Sequence, residues 1–170
     1  MGVKINVKTI KDDFYRIEKS VVDVGDKTVN VGVLGGGEQA YIAAIHEYGC
    51  KIKITPKMRV WLHANGLPVK DTTTHITIPE RSFLRNGFDA TNEEVLKKAD
   101  KAIKSMIGGK MDSDAFLEMI GITLSRKIKK YARDLDTPPN HPFTIDHKKG
   151  KTNPLVNTGD MIGAITYEVT

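Results

Sequence analysis

The most regular alternation of apolar and polar positions lies between Asp112 and Leu135. There Leu117, Ile120, Leu124, Ile128, Tyr131 and Leu135 follow one another at steps of three or four, the spacing of one face of an α-helix. Phe116, Met119 and Ile122 widen the face in the first half, which is therefore expected to be enclosed. In the second half a thin apolar seam remains, flanked by Arg126, Lys127, Lys129, Lys130 and Arg133. Asp112 or Ser113 can accept the first free backbone N–H groups, and Asp114 and Glu118 sit near the positive end of the helix dipole. A helix that starts in a core and ends as a basic rod reads as a connector.

Earlier in the chain, Val3, Ile5 and Val7 alternate with Lys4, Asn6 and Lys8, the period of a half-buried strand. Thr9 then opens an expected helix with Ile10, Phe14, Ile17 and Val21 facing the core, closing near Gly25. Thr28–Leu34 alternates again, with Val29, Val31 and Val33 on one side. Gly35-Gly36-Gly37 breaks that run, and Glu38–Tyr48 predicts a short helix packing Tyr41, Ala44, Ile45 and Tyr48, stopped by Gly49. Lys51–Ile54, Arg59–His63 and His75–Ile78 read as strands of a β-hairpin arm over residues 50–78. Thr91-Asn92-Glu93-Glu94 has the pattern of a capping box, followed by a helix marked by Val95, Ala99, Ala102 and Met106 and ended by Gly108-Gly109. Asp136–Asn157, with four prolines and no periodicity, reads as an extended loop, expected to be mobile in the free chain and to order on a neighbouring subunit. Ala164–Val169 closes as a strand with Ile165, Tyr167 and Val169 facing in. The class predicted is α+β, one domain over residues 1–170, with a mixed or antiparallel sheet and helices on one face.

Charge sharpens this picture by its placement. Of 26 Lys and Arg and 21 Asp and Glu, residues 126–151 hold eight basic groups against Asp134, Asp136 and Asp146, a net of +5. The remaining 18 basic and 18 acidic groups cancel. A localised basic region on a neutral body suits one acidic contact surface, nucleic acid or protein. The lone Cys50 excludes an intrachain disulfide and a cysteine-based zinc site, and fits a reducing compartment. No apolar run approaches the length of a membrane span, so no membrane partner is expected.

The candidate chemistry is thin. Val31-Gly32-Val33-Leu34-Gly35-Gly36-Gly37-Glu38-Gln39-Ala40 is a strand, a glycine turn and a helix start that satisfies G-x-G-x-x-A. It lacks the acidic residue that a dinucleotide site places at the end of a second parallel strand, and a flexible turn accounts for it better. His46-Glu47 lacks the second histidine of a zinc-protease helix, and His63, His75, His141 and His147 have no ligand spacing. No cofactor is implied. Trp61 shares its expected strand face with Arg59 and His63, as a residue capped by the arm or as an interface anchor. Ile78-Pro79 ends a strand, because proline cannot donate to the ladder. Arg81 then turns back with a planar fork suited to a carboxylate, and Glu47 is the expected partner. Phe83, Leu84 and Phe88 are expected to plug the turn into the core, and Thr158-Gly159-Asp160 starts one helical turn before the last strand.

Three short motifs, Ala44-Ile45-His46-Glu47-Tyr48-Gly49, Ile78-Pro79-Glu80-Arg81-Ser82-Phe83-Leu84-Arg85 and Pro154-Leu155-Val156-Asn157-Thr158-Gly159-Asp160-Met161 with Ile165-Thr166-Tyr167 after it, carry a family resemblance. In order and spacing they resemble the tail-completion and neck-protein family of tailed bacteriophages, the group containing the Mu-type virion morphogenesis proteins. Ser82 stands where that family has proline, Asn157 where it has aspartate and Ala164 where it has serine.

The resemblance implies a non-enzymatic virion protein, made in the bacterial cytoplasm, that completes or joins the tail at the head–tail junction. It implies a ring of copies, six-fold by expectation. The other partners implied are neck, connector, tail-terminator or tail-tube proteins, with DNA in the channel as a further contact. The fold-fixing residues would be His46, Glu47, Gly49, Pro79, Arg81, Phe83, Thr158 and Gly159. The expected interface residues are Trp61, Arg126, Lys127, Lys130, Arg133, Lys148, Lys149 and Lys151. The other reading is a small basic nucleic-acid-binding protein.

Overall fold

The computed structural model describes the backbone of residues 7–170 and the side chains from Asp12 onward. Helix α1 (Val7–Gly25) leads into strand β1 (Val29–Val33), helix α2 (Glu38–Tyr48) and strand β2 (Cys50–Lys53). Helix α3 (Pro56–Ala64), strand β3 (His75–Ile78) and the long helices α4 (Phe83–Ile107) and α5 (Ser113–Asp134) follow. Two short helices, α6 (Pro142–His147) and α7 (Asp160–Gly163), precede strand β4 (Ile165–Val169). The chain is α+β, as the pattern predicts. Its strands form two separate antiparallel pairs, β1 with β4 and β2 with β3.

Helix α5 is the element around which both cores assemble. At its start Phe116 and Leu117 pack with Ala102 and Met106 of α4, and at its end Ile128 and Ala132 pack with Ala43, Phe83, Leu155, Met161, Ile162 and Ile165. Asp112 caps the helix by accepting the Ala115 N–H at 2.7 Å. The second half of α5 is not the exposed rod expected. Ile128 and Ala132 are almost fully enclosed, because α7 and the Leu155 turn cover that end. Lys127 pairs with Glu94 of α4, Lys130 pairs with Asp134 one turn on, and Lys129 donates to the Gly163 carbonyl at 3.0 Å.

Several elements depart from the sequence pattern for identifiable reasons. Residues 1–6, most of the expected first strand, lie outside the described residues, and Val7 opens α1 instead. Helix α1 is seated on one edge of its apolar arc. Ile17 and Val24 are half-buried, while Phe14, Tyr15, Val21 and Val22 face solvent; the Ile10 side chain lies outside the described residues. Residues 59–63 are helical rather than extended, since Thr55 accepts the Met58 N–H at 3.2 Å and Pro56 takes the first helical position, a strong local helix start. Thr91 does not cap a new helix. Helix α4 runs straight through it, and the Thr91 hydroxyl donates back to the Gly87 carbonyl at 2.8 Å. In α2 the enclosed positions are Ala43 and Glu47, and Tyr41 and Tyr48 are exposed. Residues 136–157 contain α6 in place of a continuous loop.

Strand β4 lies on α5 through a close approach at Gly121. A Cβ built there would stand 2.2 Å from Tyr167 Cδ2 and 2.6 Å from its Cγ, so the tyrosine ring occupies the space of the missing side chain. Gly121→Ala is therefore expected to destabilise the fold by about 1–3 kcal/mol through overpacking, more than the ~1 kcal/mol gained in helix propensity. In a Tyr167→Ala background the same change should become neutral or stabilising. A denaturant double-mutant cycle measures this sign reversal, and equal effects of Gly121→Ala in both backgrounds would contradict the contact.

Candidate functional site

Helix α2 ends at Gly49, whose φ is +71° and where an added Cβ would stand 2.9 Å from the Glu80 backbone nitrogen and 3.0 Å from the Ile78 carbonyl oxygen, too close for a side chain. The chain therefore turns at once into β2, and β3 brings it back beside the last turn of α2 at Pro79. There Glu47, 2% exposed, points at the start of α4. The N-cap residue of α4, Ser82, is left-handed (φ 41°) and gives the helix no side-chain cap. Glu47 fills that role from α2, accepting the Leu84 N–H at 2.8 Å and the Arg85 N–H at 3.2 Å. A carboxylate placed on unpaired amides at the positive end of a helix dipole is favourable twice over.

The ion pair of Glu47 is with Arg85, not Arg81. Arg85 Nε donates to Glu47 Oε1 at 2.9 Å, and its Nη2 donates to the Glu47 carbonyl at 2.9 Å and to Glu80 Oε1 at 2.7 Å. The guanidinium lies 4.9 Å from the centroid of the Tyr48 ring. The Ser82 hydroxyl and Arg85 together hold the Glu80 carboxyl below its usual pKa.

Arg81, 5% exposed, has neutral acceptors only among its hydrogen bonds. It donates to His46 Nδ1 at 2.9 Å, to the Pro138 carbonyl at 3.2 Å and to Asn140 Oδ1 at 3.1 Å, and its backbone N–H donates to the His46 carbonyl at 2.8 Å. Burial lowers the Arg81 pKa. His46 is pushed down to about 4, first by burial and then by the positive charges of Arg81 and Lys148. It is thus a neutral acceptor at pH 7, too weak a base for proton transfer there.

The third partner in the knot is Asn153. Its Nδ2 donates to the Arg133 and Leu135 carbonyls at 2.6 and 3.0 Å, and its Oδ1 accepts the Leu155 and Val156 N–H groups at 2.8 and 2.9 Å. Asn153 so closes the open end of α5 and sets the turn into the third motif. Lys148 Nζ donates to the Asn153 carbonyl at 2.9 Å, and burial lowers its pKa. The residues expected to move freely as a loop are tied down inside their own chain by these contacts.

Of the expected fold-fixing residues, His46, Glu47, Gly49, Pro79, Arg81 and Phe83 meet in this knot. Thr158 and Gly159 stand apart from it, opening α7 beneath α2, where Met161 joins Ala43 and Phe83 in one core cluster. Leu84 is half-buried, and Phe88 is exposed instead of plugging the turn. The expected interface residues are spread over α3, α5 and the segment after α6. Trp61 is half-exposed on α3 with its ring edge-on to Phe143 at 6.5 Å, and Arg126 and Arg133 are exposed on α5. Lys127, Lys130, Lys148 and Lys151 bond within the chain, the last to the Asn157 carbonyl at 2.7 Å, while Lys149 is exposed at φ 54°.

Sequence reasoning missed Arg85, Asn140 and Asn153. Arg85 stood inside the quoted motif, and only its place in the first turn of α4 singles it out; the asparagines carried no pattern. The glycine turn has positive φ at Gly35 and Gly37, and β1 pairs antiparallel with β4, unlike the parallel βαβ unit of a dinucleotide site. Among the described residues no group of three His, Cys, Asp or Glu side chains is placed to hold a metal ion. This arrangement binds and positions its own backbone.

Two outcomes follow from the knot. Glu47→Ala should lower stability by about 3 kcal/mol and Glu47→Gln by roughly half of that, since the amide keeps one acceptor but loses the charge; equal stability of all three proteins in urea would contradict the cap. For His46 the folded value of about 4 lies below the free value of 6.5, so the unfolded chain binds the proton first as pH falls. Its contribution is whole above pH 6.5, erodes from there to about 4, and amounts to at most on the order of 3 kcal/mol. His46→Asn, which keeps an acceptor for Arg81 without titrating, should flatten the stability curve in that window, and an unchanged slope would refute the assignment. Compared with models of protein families, with curated proteins and with solved structures, the chain matches none.

Proposed function

We propose that this chain is a structural protein of a tailed phage, prophage or phage-tail-like particle, completing or joining the tail by assembling into a ring. The observation that carries this reading is the outward apolar stripe of α1. Phe14, Tyr15, Val21 and Val22 are all more than half exposed and recur at spacings of one, seven and eight, which places them on one helix face. Tyr41 and Tyr48 form a second outward stripe on α2, seven residues apart. Contiguous apolar surface of this kind belongs to a protein that buries it against another. The three motifs behind the family resemblance are meanwhile engaged in fixing the fold, and the one strongly shifted histidine serves as an acceptor for Arg81. The ring lies at the head–tail junction, facing neck, connector, tail-terminator or tail-tube proteins.

The alternative, nucleic-acid binding, draws on the basic segment 126–151. There Lys127 pairs with Glu94 and Lys130 with Asp134, while Lys129, Lys148 and Lys151 donate to backbone carbonyls and keep their charge with fewer free donors.

Phe14→Asp with Val21→Asp tests the reading. The double variant should unfold at the wild-type temperature, because both side chains face solvent, while its assembly into higher-mass species and its uptake into particles should be lost. Native mass spectrometry and particle pull-down measure both. A wild-type chain that stays at 18.8 kDa, enters no particle and binds DNA with a steep salt dependence would favour the alternative.

A further inference from the structure

Among the described residues, the β1–β4 sheet has an unpaired edge beside α4. Thr28 and Thr170 exchange both backbone hydrogen bonds, at 2.6 and 2.9 Å, and the register continues through Asn30↔Glu168 and Gly32↔Thr166. In an antiparallel pair these alternate residues turn their N–H and C=O groups toward the partner, so those of Val29, Val31 and Val33 point the opposite way. Among the described residues no further backbone bond is made by that edge. A groove runs along it, bordered by Val29 and Val31 on one side and by Leu84, Phe88 and Asp89 on the other, with Leu124 and Ile128 of α5 beneath. Phe88, 43% exposed, is the apolar side chain this groove leaves open. A two-stranded sheet with an open edge over an apolar floor is built to accept a third strand.

We propose that the groove receives the amino-terminal segment Met1–Asn6 of a second copy of the chain, added as a strand to the edge of β1. The segment has the chemistry required. Val3 and Ile5 alternate with Lys4 and Asn6, so one face meets Leu84 and Phe88 while the other stays solvated. Six residues in extended form span about 20 Å, enough to cover the five residues of β1. The pairing joins a tail on one copy to a groove on the next, a heterologous contact that repeats from copy to copy and closes when the rotation allows. This inference rests on the ring reading above and names the contact that would link the ring.

The test uses the full chain in two variants. Val31→Pro removes an N–H that points into the groove and none that bonds β4, so the sheet remains and the added strand cannot pair. Val3→Asp with Ile5→Asp spoils the tail and leaves the groove intact. Each variant alone is expected to stay at the mass of one chain with the wild-type circular dichroism. Mixed in equal amounts they should give a 1:1 heterodimer and nothing larger, because only one tail and one groove work in the mixture. In the wild-type assembly the Val29 and Val31 amides should be protected from hydrogen exchange, and in the tail variant they should exchange freely, a readout that holds even if Val31→Pro fails to fold. Tail-variant assemblies of wild-type mass overturn the strand contact and leave the ring reading standing. A wild-type chain that stays monomeric and enters no particle overturns both. A monomer with a protected Val31 amide overturns the exchange between copies and places the tail on its own edge.

Discussion

The constraint on which the rest of the structure depends is the helix start at Phe83. Helix α4 begins from a left-handed serine that leaves its first amides uncapped, and it begins inside the protein, with Phe83 wholly enclosed. Buried amides without acceptors are costly. The Glu47 carboxylate resolves this from a different helix, and in doing so joins the end of α2 to the start of α4. Arg85 then balances the charge from the protein surface, where half of its side chain remains solvated, so the pair avoids the full desolvation of two buried ions. Once α4 is anchored, Phe83 completes the core cluster formed by Ile128, Ala132 and Ile165.

A second arginine is handled in the opposite way. Arg81 is enclosed and held by an imidazole, a carbonyl and a side-chain amide. Three neutral acceptors stand in for much of its water shell without a counter-ion, at the expense of holding His46 neutral. The geometry runs on through Asn140 to the chain around Asn153, and so from α2 to the closing turn of α5. Position 82 has φ 41°, a value closed to proline, whose ring fixes φ near −65°.

Much of the fold was legible where local chemistry and tertiary packing agree. The bounds of α2, β3 and α7 and the cap of α5 follow directly from glycine stops, strand alternation and Asp112. Legibility failed where two signals competed. Arg59–His63 reads as a strand, although Thr55-Pro56 just before it is a helix start. Thr91 offered a cap that an uninterrupted helix did not need. Periodicity revealed the apolar arc of α1 but could not say which edge would meet the core. The Glu47 pairing is half legible: the motifs set a carboxylate opposite an arginine, yet choosing Arg85 over Arg81 requires knowing that α4 starts at Phe83. Asn153 had no sequence signal, because closing a helix end from twenty residues away leaves no local pattern. The outward stripes of α1 and α2 are the converse case, where apolar residues read as core turn out to be surface, and it is this misfit that directs attention to assembly.

The measurement that tests the central claim most directly is site-resolved amide hydrogen exchange at Leu84 and Arg85. If the Glu47 carboxylate caps α4 and the knot is the anchor of the fold, these two amides should open only with global unfolding, at the same free energy as the amides around Ile128. Exchange at Leu84 and Arg85 at the rate of a frayed helix end, while Ile128 stays protected, would contradict the account.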